Sequence, residues 1–249
     1  MSVVKVSNLH VAYQEKPVLW NVHFEVQAGQ NYAIIGPNGA GKTTLLKSLL
    51  HELKPSLGEV LFFDEDINNV RDKIAYVPQR QNVDWDFPIN VLDVVLMGLY
   101  APRGVFARIH KSDKQKALQA LEMVGMADFA KRQISKLSGG QQQRVFIARA
   151  LVSNAELLIM DEPFAGVDMQ TEKMIVQILK DLKAAGKTTL CVHHDLTTIP
   201  DYFDRVIMIN GRLIVEGEVK DVFTQEYLSQ TFGGKLPVLE NVVHKSHNK

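Results

Sequence analysis

Residues 36–43 read Gly36-Pro37-Asn38-Gly39-Ala40-Gly41-Lys42-Thr43, which fits the pattern G-x-x-x-x-G-K-[ST]. The apolar run Tyr32-Ala33-Ile34-Ile35 precedes it, and Leu45, Leu46, Leu49 and Leu50 recur at helical spacing between Lys42 and Leu50. Strand, glycine-rich turn and helix form the context that gives the pattern its chemistry. Glycines let successive backbone N–H groups curl around phosphate oxygens, and the helix start near Lys42 adds about half a positive charge. Lys42 would reach β- and γ-phosphates, and the Thr43 hydroxyl would bind Mg²⁺. The phosphate-binding set is therefore Gly36, Pro37, Asn38, Gly39, Ala40, Gly41, Lys42, Thr43 and Thr44.

Outward from this turn the chain alternates strand and helix signals. Val18 to Val26, with Val22, Phe24 and Val26 on one face, and Gly58 to Phe63 read as strands of an antiparallel layer. Leu157 to Met160 and Thr188 to Val192 are short continuous apolar runs of the kind a buried parallel sheet produces. Between them Met174, Ile175, Ile178, Leu179 and Leu182 share one helical face, and Gly186 is placed to end that helix. From about Ile89 to Leu151 helical candidates at Val91–Leu99, Lys114–Val124 and Gln141–Val152 dominate, so this stretch reads as a helical insertion in an α/β core. Asn210-Gly211, between Val206–Ile209 and Leu213–Val215, suggests a type I′ hairpin. Beyond Pro237 the chain reads as a frayed end.

Composition narrows the partners. The 249 residues carry 28 Lys+Arg against 28 Asp+Glu, so the basic footprint of a nucleic-acid binder is missing. A single cysteine, Cys191, excludes an internal disulfide framework and reads as a buried small hydrophobe. The most apolar window, Val91–Tyr100, is interrupted by Asp93 and is far shorter than the roughly 20 residues that span a bilayer. The single cysteine suits a reducing compartment, so a cytosolic location is the default expectation, and no export signal or myristoylation site is visible at Met1-Ser2-Val3-Val4-Lys5.

Two further stretches carry chemistry. Leu157-Leu158-Ile159-Met160-Asp161-Glu162 places two carboxylates at a strand end, where ligands of open α/β sheets gather. Asp161 would hold Mg²⁺ through water, and Glu162 would polarise the water that attacks a γ-phosphate. Leu137-Ser138-Gly139-Gly140-Gln141 precedes a helix, and Ser138 with Gln141 forms an S-x-x-Q capping box. Two consecutive glycines are costly where only a cap is needed, yet they leave backbone N–H groups open to a phosphate.

From Tyr13 to about Gly217 the motifs and their order resemble the ATP-binding cassette family. That resemblance implies a P-loop α/β core with an antiparallel β layer and an inserted α-helical subdomain. In it, residues 1–88 and 152–235 form the core, 89–151 the helical part and 236–249 a tail. It implies that Tyr13 stacks on adenine, that Gln79 of Tyr76-Val77-Pro78-Gln79 is the Q-loop glutamine and an Mg²⁺ neighbour, and that His194 of His193-His194-Asp195 is the switch histidine. Asp168 resembles the D-loop aspartate, although Ala165-Gly166-Val167-Asp168 departs from the family's usual Ser-x-Leu-Asp. Simpler readings stand beside these: Tyr13 packed on the core, Gln79 a turn residue, His193 a strand-end neighbour, and His244 and His247 in a solvated tail. The resemblance further implies a head-to-tail homodimer, in which Ser138, Gly139, Gly140 and Gln141 of one subunit face the ATP held by the other.

Gln79-Arg80, Asp84-Trp85-Asp86-Phe87-Pro88, Glu162-Pro163-Phe164-Ala165-Gly166-Val167-Asp168 and Phe232-Gly233-Gly234 are similar to the ATPase subunit of bacterial manganese/zinc importers. What this implies is ATP-driven uptake of a divalent metal, manganese before zinc or iron, through a membrane-spanning permease. It also implies an extracytoplasmic metal-binding lipoprotein and a place on the cytoplasmic face of the membrane. Trp85 and Phe87 would receive a permease helix, or else fill the gap between core and helical insertion. The basic run Arg103, Arg108, His110, Lys111, Lys114 and Lys116 reads as a solvated surface or a neighbour of anionic headgroups.

Overall fold

The structure, a computed structural model, describes residues 1–14, 16–100 and 108–234. Arg103, the histidines His244 and His247, and the predicted frayed end lie outside the described residues. In chain order the elements are β1 (Ser2–Tyr13), β2 (Lys16–Gln27), β3 (Asn31–Ile35), α1 (Lys42–Leu49), β4 (Leu57–Phe62), β5 (Ile74–Val77), α2 (Val91–Leu96), α3 (Lys111–Met123) and α4 (Gly139–Leu151). They continue with β6 (Leu157–Asp161), α5 (Met169–Ala184), β7 (Thr188–Val192), α6 (Ile199–Tyr202), β8 (Arg205–Ile209), β9 (Leu213–Glu218), α7 (Val219–Val222) and α8 (Gln225–Phe232). Two compact units result: Met1–Val70 with the chain from Leu182 onward, and Arg71–Asp181.

In the first unit β1 lies between β2 and β4 and is antiparallel to both. The alternation read in β2 holds, because Val22, Phe24 and Val26 are all buried. The central strand β1 escapes a periodicity search for a physical reason. Val4 and Val6 are buried, then Leu9 and Val11, so the inward parity switches from even to odd at an irregularity around Asn8, whose φ is +48°. The second sheet of this unit places β3 between β7 and β8, parallel to both, with β9 antiparallel on β8. All five residues of β3 and of β7 are buried, as continuous apolar runs in a parallel sheet should be.

The β8–β9 hairpin forms, but not with a type I′ turn. Only Gly211 takes a positive φ, +67°, and the loop carries three residues, Asn210, Gly211 and Arg212, closed by Asn210 N–H to the Arg212 carbonyl at 2.9 Å. External contacts decide the geometry: Asn210 Nδ2 donates to Thr231 O at 3.0 Å, Gly211 N–H to Ala40 O at 3.0 Å, and Trp20 N–H to Gly211 O at 2.8 Å.

In the second unit β5 and β6 pair in parallel, from Ile74 opposite Leu157 to Val77 opposite Met160. Helices α2, α3 and α4 share an apolar interior that includes Val91, Val94, Val95, Leu121 and Val145, as the helical spacing predicts. Asn90 caps α2 by accepting the Asp93 N–H at 2.9 Å, and Ser138 caps α4 in the expected box.

Candidate functional site

The first unit builds the glycine-rich loop. Gly39 and Gly41 adopt φ of +82° and +93°, conformations that a residue with a Cβ reaches only with strain. Gly41 is also the N-cap of α1, and a Cβ there would meet Leu19 Cδ2 at 2.5 Å. At Gly36 the reason is space alone, since a Cβ would fall 2.1 Å from the Ile209 carbonyl oxygen. The loop thus passes hard against β8, while Gly39 at its exposed tip has open space where a Cβ would go. Lys42 is buried, and its ammonium donates to the carbonyls of Gly36 at 2.7 Å and Pro37 at 2.9 Å. Thr43 is exposed and Thr44 buried in the first turn of α1.

The carboxyl end of β7 lies beside the strand that feeds this loop. Val192 is opposite Ile34, and His193 N–H donates to Ile34 O at 3.0 Å. The two histidines then diverge. His193 is buried among Tyr202 and Phe203 with its Nε2 2.7 Å from Thr198 Oγ1, whereas His194 is exposed. Tyr13 ends β1 with 45% of its surface exposed, so it does not pack in the core. Cys191 is fully buried, and burial pushes its thiol pKa up.

The second unit carries the carboxylates and the other glycine pair. Asp161 closes β6 with only 1% exposed. Glu162 follows with φ +51°, a left-handed residue at a strand end, the sort of local strain that collects at functional sites. Its Oε2 accepts a hydrogen bond from Gln79 Nε2 at 2.8 Å, so two candidate residues separated by 83 positions meet directly. At the start of α4, Ser138 Oγ accepts the Gln141 N–H at 3.4 Å, and Gln141 Oε1 accepts the Ser138 N–H at 3.0 Å.

Arg80, to which the sequence reading gives no role of its own, and the D-loop candidate Asp168 lie beside Gly139 and Gly140. A Cβ on Gly139 would lie 2.9 Å from Arg80 Cζ, and one on Gly140 would lie 2.8 Å from Asp168 Oδ2. Arg80 Nε donates to Gln142 Oε1 at 3.0 Å. Arg144 donates through Nε and a terminal nitrogen to Thr171 Oγ1, at 2.9 and 2.8 Å. Asp168 in turn accepts the Thr171 N–H at 2.8 Å and its hydroxyl at 3.0 Å, and these two bonds, aided by Arg144, hold its carboxyl below the usual range. Arg80 and Gln142 lie 62 positions apart and Arg144 and Thr171 27, so no local spacing announces these two pairs.

Trp85 and Phe87 separate. Trp85 sits edge-on to Phe146 of α4 with ring centroids 4.9 Å apart, and its indole N–H donates to Arg80 O at 2.8 Å. Phe87 is 61% exposed.

A buried strand running into a glycine-rich turn, with Lys-Thr opening the next helix, defines a P-loop nucleotide-binding protein. The family model described as ABC transporter matches residues 19–165, and the chain belongs to that family. It is an ABC ATPase with the corresponding α/β fold, and the family binds and hydrolyses ATP. The zinc transport system ATP-binding protein TroB of Treponema pallidum (strain Nichols) is 54% identical over 94% of this chain and 88% of its own length. The manganese transport system ATP-binding protein MntB of Bacillus subtilis (strain 168) is 51% identical over 98% and 97%. Among solved structures, a metal-chelate type ABC transporter in an inward-facing conformation superposes with TM-score 0.81 at 29% identity, over 93% of this chain and 89% of the other. A dimeric ATP-binding cassette bound to ADP and Pi gives TM-score 0.75 at 32% identity, over 87% and 98%. Among the described residues no helix is long and apolar enough to cross a membrane.

Proposed function

We propose that this chain is the ATP-hydrolysing subunit of an importer for a divalent metal ion, manganese before zinc or iron. The observation that carries the reading is the 54% and 51% identity, over 94% and 98% of the chain, to ATP-binding proteins of zinc and manganese transport systems. In the proposed assembly two copies pair head to tail, each bound to a permease at the cytoplasmic face of the membrane. A metal-binding lipoprotein on the other side delivers the ion. The domain is single, with a core of residues 1–88 and 152–235 and a helical subdomain at 89–151.

The residues fit ATP and Mg²⁺. The left-handed glycines Gly39 and Gly41 let the loop curl so that its backbone N–H groups converge, and the hydroxyl, amide and carboxylate oxygens of Thr43, Gln79 and Asp161 are the hard donors that Mg²⁺ prefers. Bound there, the ion would neutralise charge on the phosphates. Lys42, already turned toward the loop carbonyls, binds the terminal phosphates, and Tyr13 offers an exposed ring to adenine. Glu162 accepts the proton of the attacking water, with Gln79 holding the carboxylate in place, and His194 senses the γ-phosphate. Ser138, Gly139, Gly140 and Gln141 close on the partner's nucleotide, Asp168 lies at the junction, and the exposed Phe87 with the neighbouring Trp85 receives the permease. Moving a 1:99 open population to 99:1 closed takes about 5.5 kcal/mol, which two such ATP sites can supply.

The test is metal accumulation in cells lacking the gene, read by elemental analysis. Loss of manganese uptake, restored by the wild-type gene and not by a Glu162→Gln allele, supports the reading. Unchanged manganese, zinc and iron contents overturn it.

A further inference from the structure

The turn that follows β5 touches two candidate elements with two adjacent residues. Gln79 reaches Glu162 at 2.8 Å, and Arg80 reaches the start of α4, where its Nε meets Gln142 Oε1 at 3.0 Å and its guanidinium covers Gly139. The turn is internally closed, so it can move as one piece. Asn82 N–H donates to Gln79 O at 3.0 Å, Val83 N–H to Arg80 O at 3.3 Å, and the Trp85 indole to the same Arg80 carbonyl at 2.8 Å. Its far end is anchored by the Trp85–Phe146 edge contact, one turn of helix beyond Gln142. Gln142 is itself buried and held, its Nε2 donating to Ile134 O at 3.2 Å.

We propose that Arg80 is a positioning residue that sets the start of the Ser138–Gln141 helix according to the state of Gln79 at Glu162. Three observations converge on it. The contact is made through the planar end of an arginine, whose fixed fork loses less freedom per hydrogen bond than a lysine would. Gly139 has an ordinary helical backbone, and the absence of a side chain there lets the Arg80 guanidinium lie directly over it; a Cβ would sit 2.9 Å from Arg80 Cζ and push the guanidinium aside. Finally, Gln79 and Arg80 are consecutive on a closed turn, so a shift of one displaces the other. The inference rests on the reading that Ser138–Gln141 engages the nucleotide of a second copy.

The test uses full-length protein carrying Glu162→Gln, and follows dimer formation against ATP concentration by light scattering. Binding of a fluorescent ATP analogue to the monomer and thermal melting are measured on the same samples. Adding Arg80→Ala is expected to raise the ATP concentration for half-dimerisation about tenfold while monomer binding stays within twofold. Gln142→Leu should do the same, and the Arg80→Ala/Gln142→Leu pair should be no worse than Arg80→Ala alone. If Arg80→Ala lowers the melting temperature, Arg80→Lys, which keeps the charge and stem, decides: half-dimerisation shifted several-fold supports the proposal. Half-dimerisation unchanged in either folded variant overturns it, as does a double variant whose shift is the product of the singles. Failure of the Glu162→Gln protein itself to dimerise with ATP would instead overturn the reading on which the inference rests.

Discussion

Among the described residues two helices have glycine at their start, α1 with Gly41 as its N-cap and α4 opening at Gly139, and glycine does different work in each. At α1 the backbone demands it: Gly39 and Gly41 have positive φ, no side chain caps the helix, and Leu19 fills the place of a Cβ. At α4 the backbone is ordinary and fully capped by Ser138 and Gln141, and it is the side chains of Arg80 and Asp168 that lie where a Cβ would go. The first start is set by its own left-handed backbone, packed against β2 and β8. The second depends on partners from two other segments, and a site built that way can respond to them.

This contrast can be broken by substitution. The largest effect is expected outside both glycine turns, where Glu162→Gln should lower the hydrolysis rate by roughly 10²–10⁴ while ATP still binds, measured by phosphate release. Gly41→Ala should weaken nucleotide binding to the monomer by about tenfold or more, because a left-handed conformation alone costs a residue with a Cβ about 1–2 kcal/mol. Gly139→Ala should leave that binding unchanged and impair only ATP-dependent association, because the proposed nucleotide contacts of the monomer belong to the other loop. Equal loss of monomer binding in both alanine variants would erase the distinction. Ser138→Ala should cost about 1 kcal/mol of stability in thermal or urea unfolding.

The smallest effect concerns pH. The folded-state pKa of Asp168 is lowered by its Thr171 bonds, so its contribution to stability is present above the unfolded pKa and is lost as pH falls through the folded one. Asp168→Asn should therefore lower the melting temperature slightly near neutral pH, with the difference vanishing in acid below the ordinary carboxylate range. A difference that grew as pH fell would contradict this.

What the sequence disclosed follows from how local each signal is. Strands β3, β6 and β7 and helices α1, α4 and α5 announce themselves through uninterrupted apolar runs or a single helical face. Strand β1 did not, because the irregularity at Asn8 inverts its alternation midway, and β5 is only four residues long. The hairpin turn was legible as a turn but not as a type, since Ala40, Trp20 and Thr231 fix its geometry from outside. The glycine motifs stood out by spacing. Arg80, Gln142, Arg144 and Thr171, which give the second motif its surroundings, did not, because each meets its partner across 27 to 62 residues.

The most direct test of the account is the mass of Glu162→Gln protein in light scattering with saturating ATP and Mg²⁺. The account predicts a species of twice the 28.0 kDa chain mass, dispersing when a Lys42→Ala change is added. A protein that stays at single-chain mass under those conditions, though folded and bound to ATP, would contradict it.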